Sequence, residues 1–197
     1  MGNLVKTIPN LLTLFRLIAG PAGAICLWIS AGSLMEAEAL QWWSFALAFF
    51  VAGALTDALD GWLARRLDAV SNFGALIDPI ADKVFVAGFL IVFAFLADGW
   101  IMITAPVAAI IARDVLITGL RFAQIGKESN PIPVNLAAKT KTAVEMIAIG
   151  WFFVLRFLAG SDSNWAYEVW IALLWMAAAL SLYTAIVYLL PRRSKTG

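Results

Sequence analysis

The chain has 197 residues, of which 62% are hydrophobic and only 14% charged, with 14 basic residues against 13 acidic ones and no histidine. A soluble domain is about half apolar and about a quarter charged, so this much apolar surface, with nine tryptophans, belongs in a membrane. A net charge of +1 argues against a nucleic-acid partner, the single cysteine (Cys26) leaves no internal disulfide or thiolate metal cluster, and the lack of histidine removes Ser-His-Asp and histidine-shuttle chemistry.

The first residues carry Lys6 and lead through Ile8-Pro9-Asn10 into an apolar stretch. Pro9 suits a helix start, with room for a short interfacial helix before the first span. A spanning helix needs about 20 mostly apolar residues to cross ~30 Å of hydrocarbon. Residues 17–35, 39–56 and 169–190 contain no charge, and 75–97, 100–122 and 140–159 are apolar with charges toward one end. The pattern predicts an all-α integral membrane protein of six transmembrane helices, a single domain over residues 1–197 with no linker or internal repeat.

Lysine and arginine collect on the cytoplasmic side of membrane proteins. With the N-terminus in the cytoplasm, Lys6, Arg65, Arg66, Arg121, Lys127, Lys139, Lys141, Arg192, Arg193 and Lys195 fall on that side. The other side receives Glu36, Glu38, Asp98, Asp162 and Glu168, with only Arg156 among them. Both termini are therefore expected in the cytoplasm. Trp42, Trp43, Trp100 and Trp165 lie near the outer ends of spans, where an interfacial aromatic belt is expected.

Spanning a membrane does not explain the acids between the second and third spans. Asp57 and Asp60 leave one span and Asp78 and Asp82 enter the next, across a short turn near residues 67–72. At ~100° per residue, Asp57, Asp60, Gly61, Ala64 and Arg65 share an arc of ~140°. Gly74, Asp78 and Asp82 form one stripe four residues apart. Two helices joined by a tight turn can thus aim four carboxylates into one cleft, where like charges repel unless something positive holds them together. Without histidine or available thiolates, a hard cation liganded by oxygen, Mg²⁺ or Mn²⁺, fits best. A helix-end ion pair with Arg65 or Arg66 accounts for one or two of these acids but not for four.

The run Asp57-Ala-Leu-Asp60-Gly61-Trp-Leu-Ala64-Arg65, eight residues, then Gly74-Ala-Leu-Ile-Asp78-Pro-Ile-Ala-Asp82 resembles the signature of the CDP-alcohol phosphatidyltransferase family at every fixed position. The opening Thr7-Ile-Pro-Asn10-Leu-Leu-Thr13-Leu-Phe-Arg16, the later Ile111-Ala-Arg113 to Arg121, and Ala138-Lys139-Thr-Lys141 are similar to the bacterial phosphatidylglycerophosphate synthase branch. Members of that branch use CDP-diacylglycerol and glycerol 3-phosphate and release CMP.

The resemblance implies roles by position. Asp57, Asp60, Asp78 and Asp82 would hold two divalent cations (Mg²⁺ or Mn²⁺), with Asp82 also the general base. Asn10, Leu11, Leu12, Thr13, Gly61, Arg65 and Ser71 would receive the nucleotide part of CDP-diacylglycerol. Arg113, Arg121, Lys139 and Lys141 are the candidates for the acceptor's phosphate, although Arg113 could instead pair with Asp114, and Lys139 and Lys141 sit ~200° apart on a helix. The resemblance further implies a homodimer in the bacterial inner membrane, in contact with membrane lipids, with its site facing the cytoplasm. Two alternatives stay open: the same chemistry with another acceptor, such as inositol phosphate or phosphatidylglycerol, and a divalent-cation transporter.

Overall fold

A computed structural model of the chain describes residues 2–67, 72–123, 136–158 and 164–189, with side chains described over 10–59, 77–120, 122–123, 140–158 and 164–189. The described residues form six helices and no strand: α1 (Gly2–Gly32), α2 (Glu36–Leu67), α3 (Asn72–Leu96), α4 (Ile101–Ala123), α5 (Leu136–Leu158) and α6 (Asn164–Leu189). Stretches long and apolar enough to cross a membrane occupy 10–32, 36–59, 77–96, 101–120 and 164–189. The chain is a multi-pass membrane protein. Helix α5, where the sequence predicts a further span at 140–159, has 23 residues but carries Lys139, Lys141, Glu145 and Arg156. Lys141 and Glu145 are buried within the protein, away from lipid.

The N-terminal segment differs from expectation. Pro9 does not start a helix and no separate interfacial helix precedes the first span, because α1 runs unbroken from Gly2 to Gly32. Proline forfeits one backbone hydrogen bond, a loss that a 31-residue helix can absorb near its end. That helix is ~46 Å long at ~1.5 Å per residue, so it exceeds the hydrocarbon thickness and carries Arg16 inside it.

The chain divides into two compact units, Met1–Asp98 and Gly99–Gly197. In the first, α1 packs along both α2 and α3. The close approach of α1 and α3 depends on glycine: a Cβ on Gly20 would lie 2.5 Å from the Phe85 Cα, and one on Gly88 would lie 3.2 Å from the Gly20 carbonyl oxygen. Small residues allow such backbone contact where the apolar solvent removes the usual drive for helix association. Phe50 of α2 then fills the remaining space, stacked on Phe85 at 6.1 Å and edge-on to Phe89 at 5.7 Å. At the far end the Ser30 hydroxyl donates to the Ala39 carbonyl at 2.7 Å, fastening the α1–α2 connection. Trp43 belongs to this interior as well; it is buried and so does not join an interfacial belt.

In the second unit α6 packs against α4 and α5. Trp170, Leu174, Ala177 and Ala178 form the buried stripe of α6, and Val107, Ile110 and Ile117 of α4 and Ile149 and Phe153 of α5 are buried as well. Indole N–H groups tie the helices where carbonyls are within reach: Trp151 donates to Ala166 at 2.9 Å and Trp175 to Met102 at 3.0 Å. Between α3 and α4 the backbone turns through left-handed conformations at Asp98 (φ 46°) and Gly99 (φ 78°). Aspartate and glycine are among the residues that tolerate this region best. Outward faces remain apolar, with Leu11, Ile18, Ile25, Val115, Leu182 and Ile186 exposed, as lipid contact requires.

Candidate active site

Three helices of the first unit meet at a charged cluster, where the sequence motif spans only two. Helix α1 presents Thr13 and Arg16, three residues apart and therefore on one face. Asp57 lies in the last third of α2, and Asp78 and Asp82 are one turn apart in α3. The Arg16 guanidinium donates to Asp57 and to Asp82 through the same nitrogen, Nη1. Its other terminal nitrogen lies 4.0 Å from an Asp78 oxygen. The Thr13 hydroxyl donates to that same Asp78 oxygen.

Exposure separates the cation from the anions. The Arg16 side chain is 3% exposed, whereas those of Asp57, Asp78 and Asp82 are 44%, 46% and 41% exposed. The arginine closes the inner side of the cluster and the carboxylates keep an open outer side. An arginine inside an apolar helix costs at least ~2.5–3.5 kcal/mol when uncompensated at mid-membrane, and convergence of three acids on it provides the compensation. Among the described side chains, three carboxylates share this one guanidinium. Carboxylates with open faces are the hard oxygen donors that small divalent cations take, but as they stand no three acids among the described residues are grouped so that they could hold a metal ion.

The remaining sequence-predicted contacts fall differently. Asp60 and Gly61 are in α2 within one turn of Asp57, and Arg65 follows in the same helix, but their side chains lie outside the described residues. Ser71 is outside them altogether. Asn10 shares the Thr13–Arg16 side of α1, within an arc of ~120°. Leu11 is 64% exposed and sits ~160° around the helix from Thr13. Leu12 is partly buried beside Thr13. Arg16 was given no role by sequence reasoning. The available signal was a basic residue inside an apolar run, one turn after a threonine.

The acceptor-phosphate candidates lie in the second unit. Arg113 of α4 donates through Nε to the Ser181 carbonyl at 3.1 Å, through Nη1 to Asp114 at 2.9 Å and through Nη2 to the Thr184 hydroxyl at 2.8 Å. Lys141 of α5 donates to both Asp114 oxygens, at 2.6 and 2.8 Å, and pairs with Glu145 at 3.0 Å. The Lys141 and Glu145 side chains are 6% and 2% exposed, so this cluster is closed. Two cations balance two anions, and the hydroxyl and carbonyl of α6 complete the cage. Arg121 and Lys139 are in α4 and α5, with side chains outside the described residues. Glu145 was not singled out from sequence, although its spacing from Lys141 is the ordinary four-residue ion-pair interval.

Comparison with known proteins identifies the family. Residues 6–186 match the CDP-alcohol phosphatidyltransferase family. The chain is 36% identical over 190 residues to the CDP-diacylglycerol–glycerol-3-phosphate 3-phosphatidyltransferase of Escherichia coli strain K12, covering 95% of each chain. The enzyme of the same name from Shigella flexneri matches with the same identity and coverage. The chain belongs to the CDP-alcohol phosphatidyltransferase family and is a transferase.

Proposed function

We propose, from membership of this family, that the protein transfers the phosphatidyl group of CDP-diacylglycerol to glycerol 3-phosphate, forming phosphatidylglycerol phosphate and releasing CMP. The observation that carries this reading is the convergence of Asp57, Asp78 and Asp82 from two helices onto Arg16 of a third, with open carboxylate faces. The names of the relatives supply the two substrates.

Asp57, Asp60, Asp78 and Asp82 would hold two divalent cations, Mg²⁺ or Mn²⁺, whose chemistry is Lewis-acid polarisation of the pyrophosphate. The rest of the reaction is assigned to the chain's own groups. Asp82 takes the proton of the acceptor hydroxyl as that oxygen bonds to the phosphorus bearing the diacylglycerol. The bond from this phosphorus to the oxygen of CMP breaks, and CMP departs. A carboxylate is a weak base beside an alcohol, so water exclusion and charge stabilisation must contribute much of the acceleration. Thr13 orients Asp78 through its hydroxyl. Asn10, Gly61, Arg65 and Ser71 would contact the nucleotide. For the acceptor phosphate we favour Arg121 and Lys139, because Arg113 or Lys141 could take it only by giving up Asp114.

The distribution of lysine and arginine supports placing the acid cluster at the cytoplasmic side of a bacterial inner membrane. There the lipid's tails stay in the bilayer while its head and the soluble acceptor meet at the cluster. The test is CMP release from CDP-diacylglycerol by purified protein with Mg²⁺, offered glycerol 3-phosphate, inositol phosphate, serine or phosphatidylglycerol. Release with glycerol 3-phosphate alone is expected. Release with another acceptor instead would overturn the acceptor assignment, and none with any acceptor, from folded protein that binds metal, would favour transport.

A further inference from the structure

We propose that Phe85 is a positioning residue of the acid cluster: its ring, seated on Gly53, sets the gap between α2 and α3 that places Asp82 relative to Asp57. On the function proposed above, in which Asp82 is the base, Phe85 therefore governs the rate of the chemical step rather than the binding of substrates.

On each of the three helices, the junction at Phe85 lies one turn from a member of the cluster. Gly20 of α1 is four residues after Arg16, Gly53 of α2 four residues before Asp57, and Phe85 of α3 three residues after Asp82. Residues at these intervals share a helix face. All three lie on the same side of the cluster, toward the end where Ser30 of α1 meets Ala39 of α2. The Phe85 backbone is pressed against α1, where a Cβ on Gly20 would lie 2.5 Å from the Phe85 Cα. Its ring crosses to α2, where a Cβ on Gly53 would lie 2.5 Å from Cζ and 3.0 Å from Cδ2. Phe50, one turn before Gly53, stacks on the same ring at 6.1 Å.

A fully buried ring is a spacer of fixed size. Protein interiors are close-packed and transmit strain, so a ring wedged between two helix backbones passes a change in its size on to both helices. Arg16 reaches Asp57 and Asp82 from α1, so its contacts depend on the spacing that the ring sets. Misplacing reacting groups by about 1 Å can cost ~10²-fold in rate. Burial alone does not single Phe85 out. Phe89 is as deeply buried and meets Phe50 edge-on at 5.7 Å, but it lies two turns from Asp82. It is the same kind of core residue without the position.

The experiment compares the wild-type protein with Phe85→Leu, Gly53→Ala, the two combined, and Phe89→Leu, in detergent or nanodiscs with Mg²⁺. Melting temperatures come first, then kcat and KM for CMP release at a temperature where each variant is folded. Phe85→Leu and Gly53→Ala should each lower kcat about 10- to 100-fold, with the KM for either substrate changed no more than a few-fold. In the combined variant the alanine methyl takes space that the shorter leucine vacates, so kcat should return to within about fivefold of wild type. Phe89→Leu should lose as much melting temperature as Phe85→Leu yet keep kcat within a few-fold. Equal kcat in folded Phe85→Leu and Phe89→Leu, a change in KM alone, or no recovery in the combined variant would overturn the proposal. If Gly53→Ala does not fold, the combined variant must still exceed Phe85→Leu in kcat, or the proposal fails. A second readout needs no activity: the loss of melting temperature from Arg16→Gln, or from Arg16→Lys if the glutamine variant does not fold, is measured in the wild-type and Phe85→Leu backgrounds. Coupled residues depart from additivity, and the loss should shrink by about half when Phe85 is replaced. Additive losses would refute the spacing claim. If the wild-type protein releases no CMP with any acceptor, the functional reading fails and this cycle judges Phe85 by itself.

Discussion

The two charged clusters are built from the same kinds of residue and reach opposite ends. In the first unit, three half-exposed carboxylates share one buried arginine. In the second, Arg113 and Lys141 meet Asp114 and Glu145, every partner is nearly buried, and the formal charges cancel. Desolvating charges is expensive, and the cost is recovered only when each finds good partners inside. The closed cluster meets most of that demand internally, although one Glu145 oxygen has an ion-pair partner and no hydrogen bond, and it ties α4, α5 and α6 together. An open cluster leaves carboxylate faces to the outside, and on the function proposed above those faces meet a ligand. Exposure thus distinguishes a binding site from a fastening more sharply than the presence of ionisable residues inside a membrane protein.

Four variants press on this contrast. The largest effect on rate belongs to the open cluster: Asp82→Asn should lower CMP release by about 10²–10⁴-fold, the usual worth of a general base, while binding of CDP-diacylglycerol, measured separately, persists. The largest effect on stability belongs to the closed cluster. Asp114→Ala leaves Arg113 and Lys141 without their shared anion and should cost ~3–5 kcal/mol, as for other broken buried pairs, read as a drop in melting temperature. Replacing Lys141 and Glu145 together by Met and Leu should cost much less, because the charges leave as a pair. A smaller effect is expected from Thr13→Val, which keeps the shape but removes a hydrogen bond to a carboxylate worth ~1.5–3 kcal/mol at most. It should reduce kcat/KM by about tenfold and leave the melting temperature nearly unchanged.

Much of the fold was readable in the sequence because hydrophobic length and charge placement act locally. The uncharged runs marked the spans, and the spacing of Asp57, Asp78 and Asp82 put them at facing helix ends. Partners distant in sequence were not readable. Arg16 reaches acids 41 and 66 residues away, and periodicity along a single helix says nothing about which helix lies opposite. The same limit hid the fastening of Arg113 to Ser181 and Thr184, 68 and 71 residues on. The start of α1 was misread for a different reason. Pro9 is a good first-turn residue in isolation, but a long helix already anchored by tertiary contacts through Thr13 and Arg16 can continue past it.

The most direct test of the contrast is to measure CMP release by Asp82→Asn and Glu145→Gln side by side, at a temperature where both are folded. The account predicts that Asp82→Asn loses nearly all turnover and that Glu145→Gln, altered inside the closed cluster, keeps a rate within a few-fold of the wild-type protein. Near-normal turnover in Asp82→Asn, or a collapse in folded Glu145→Gln, would contradict it.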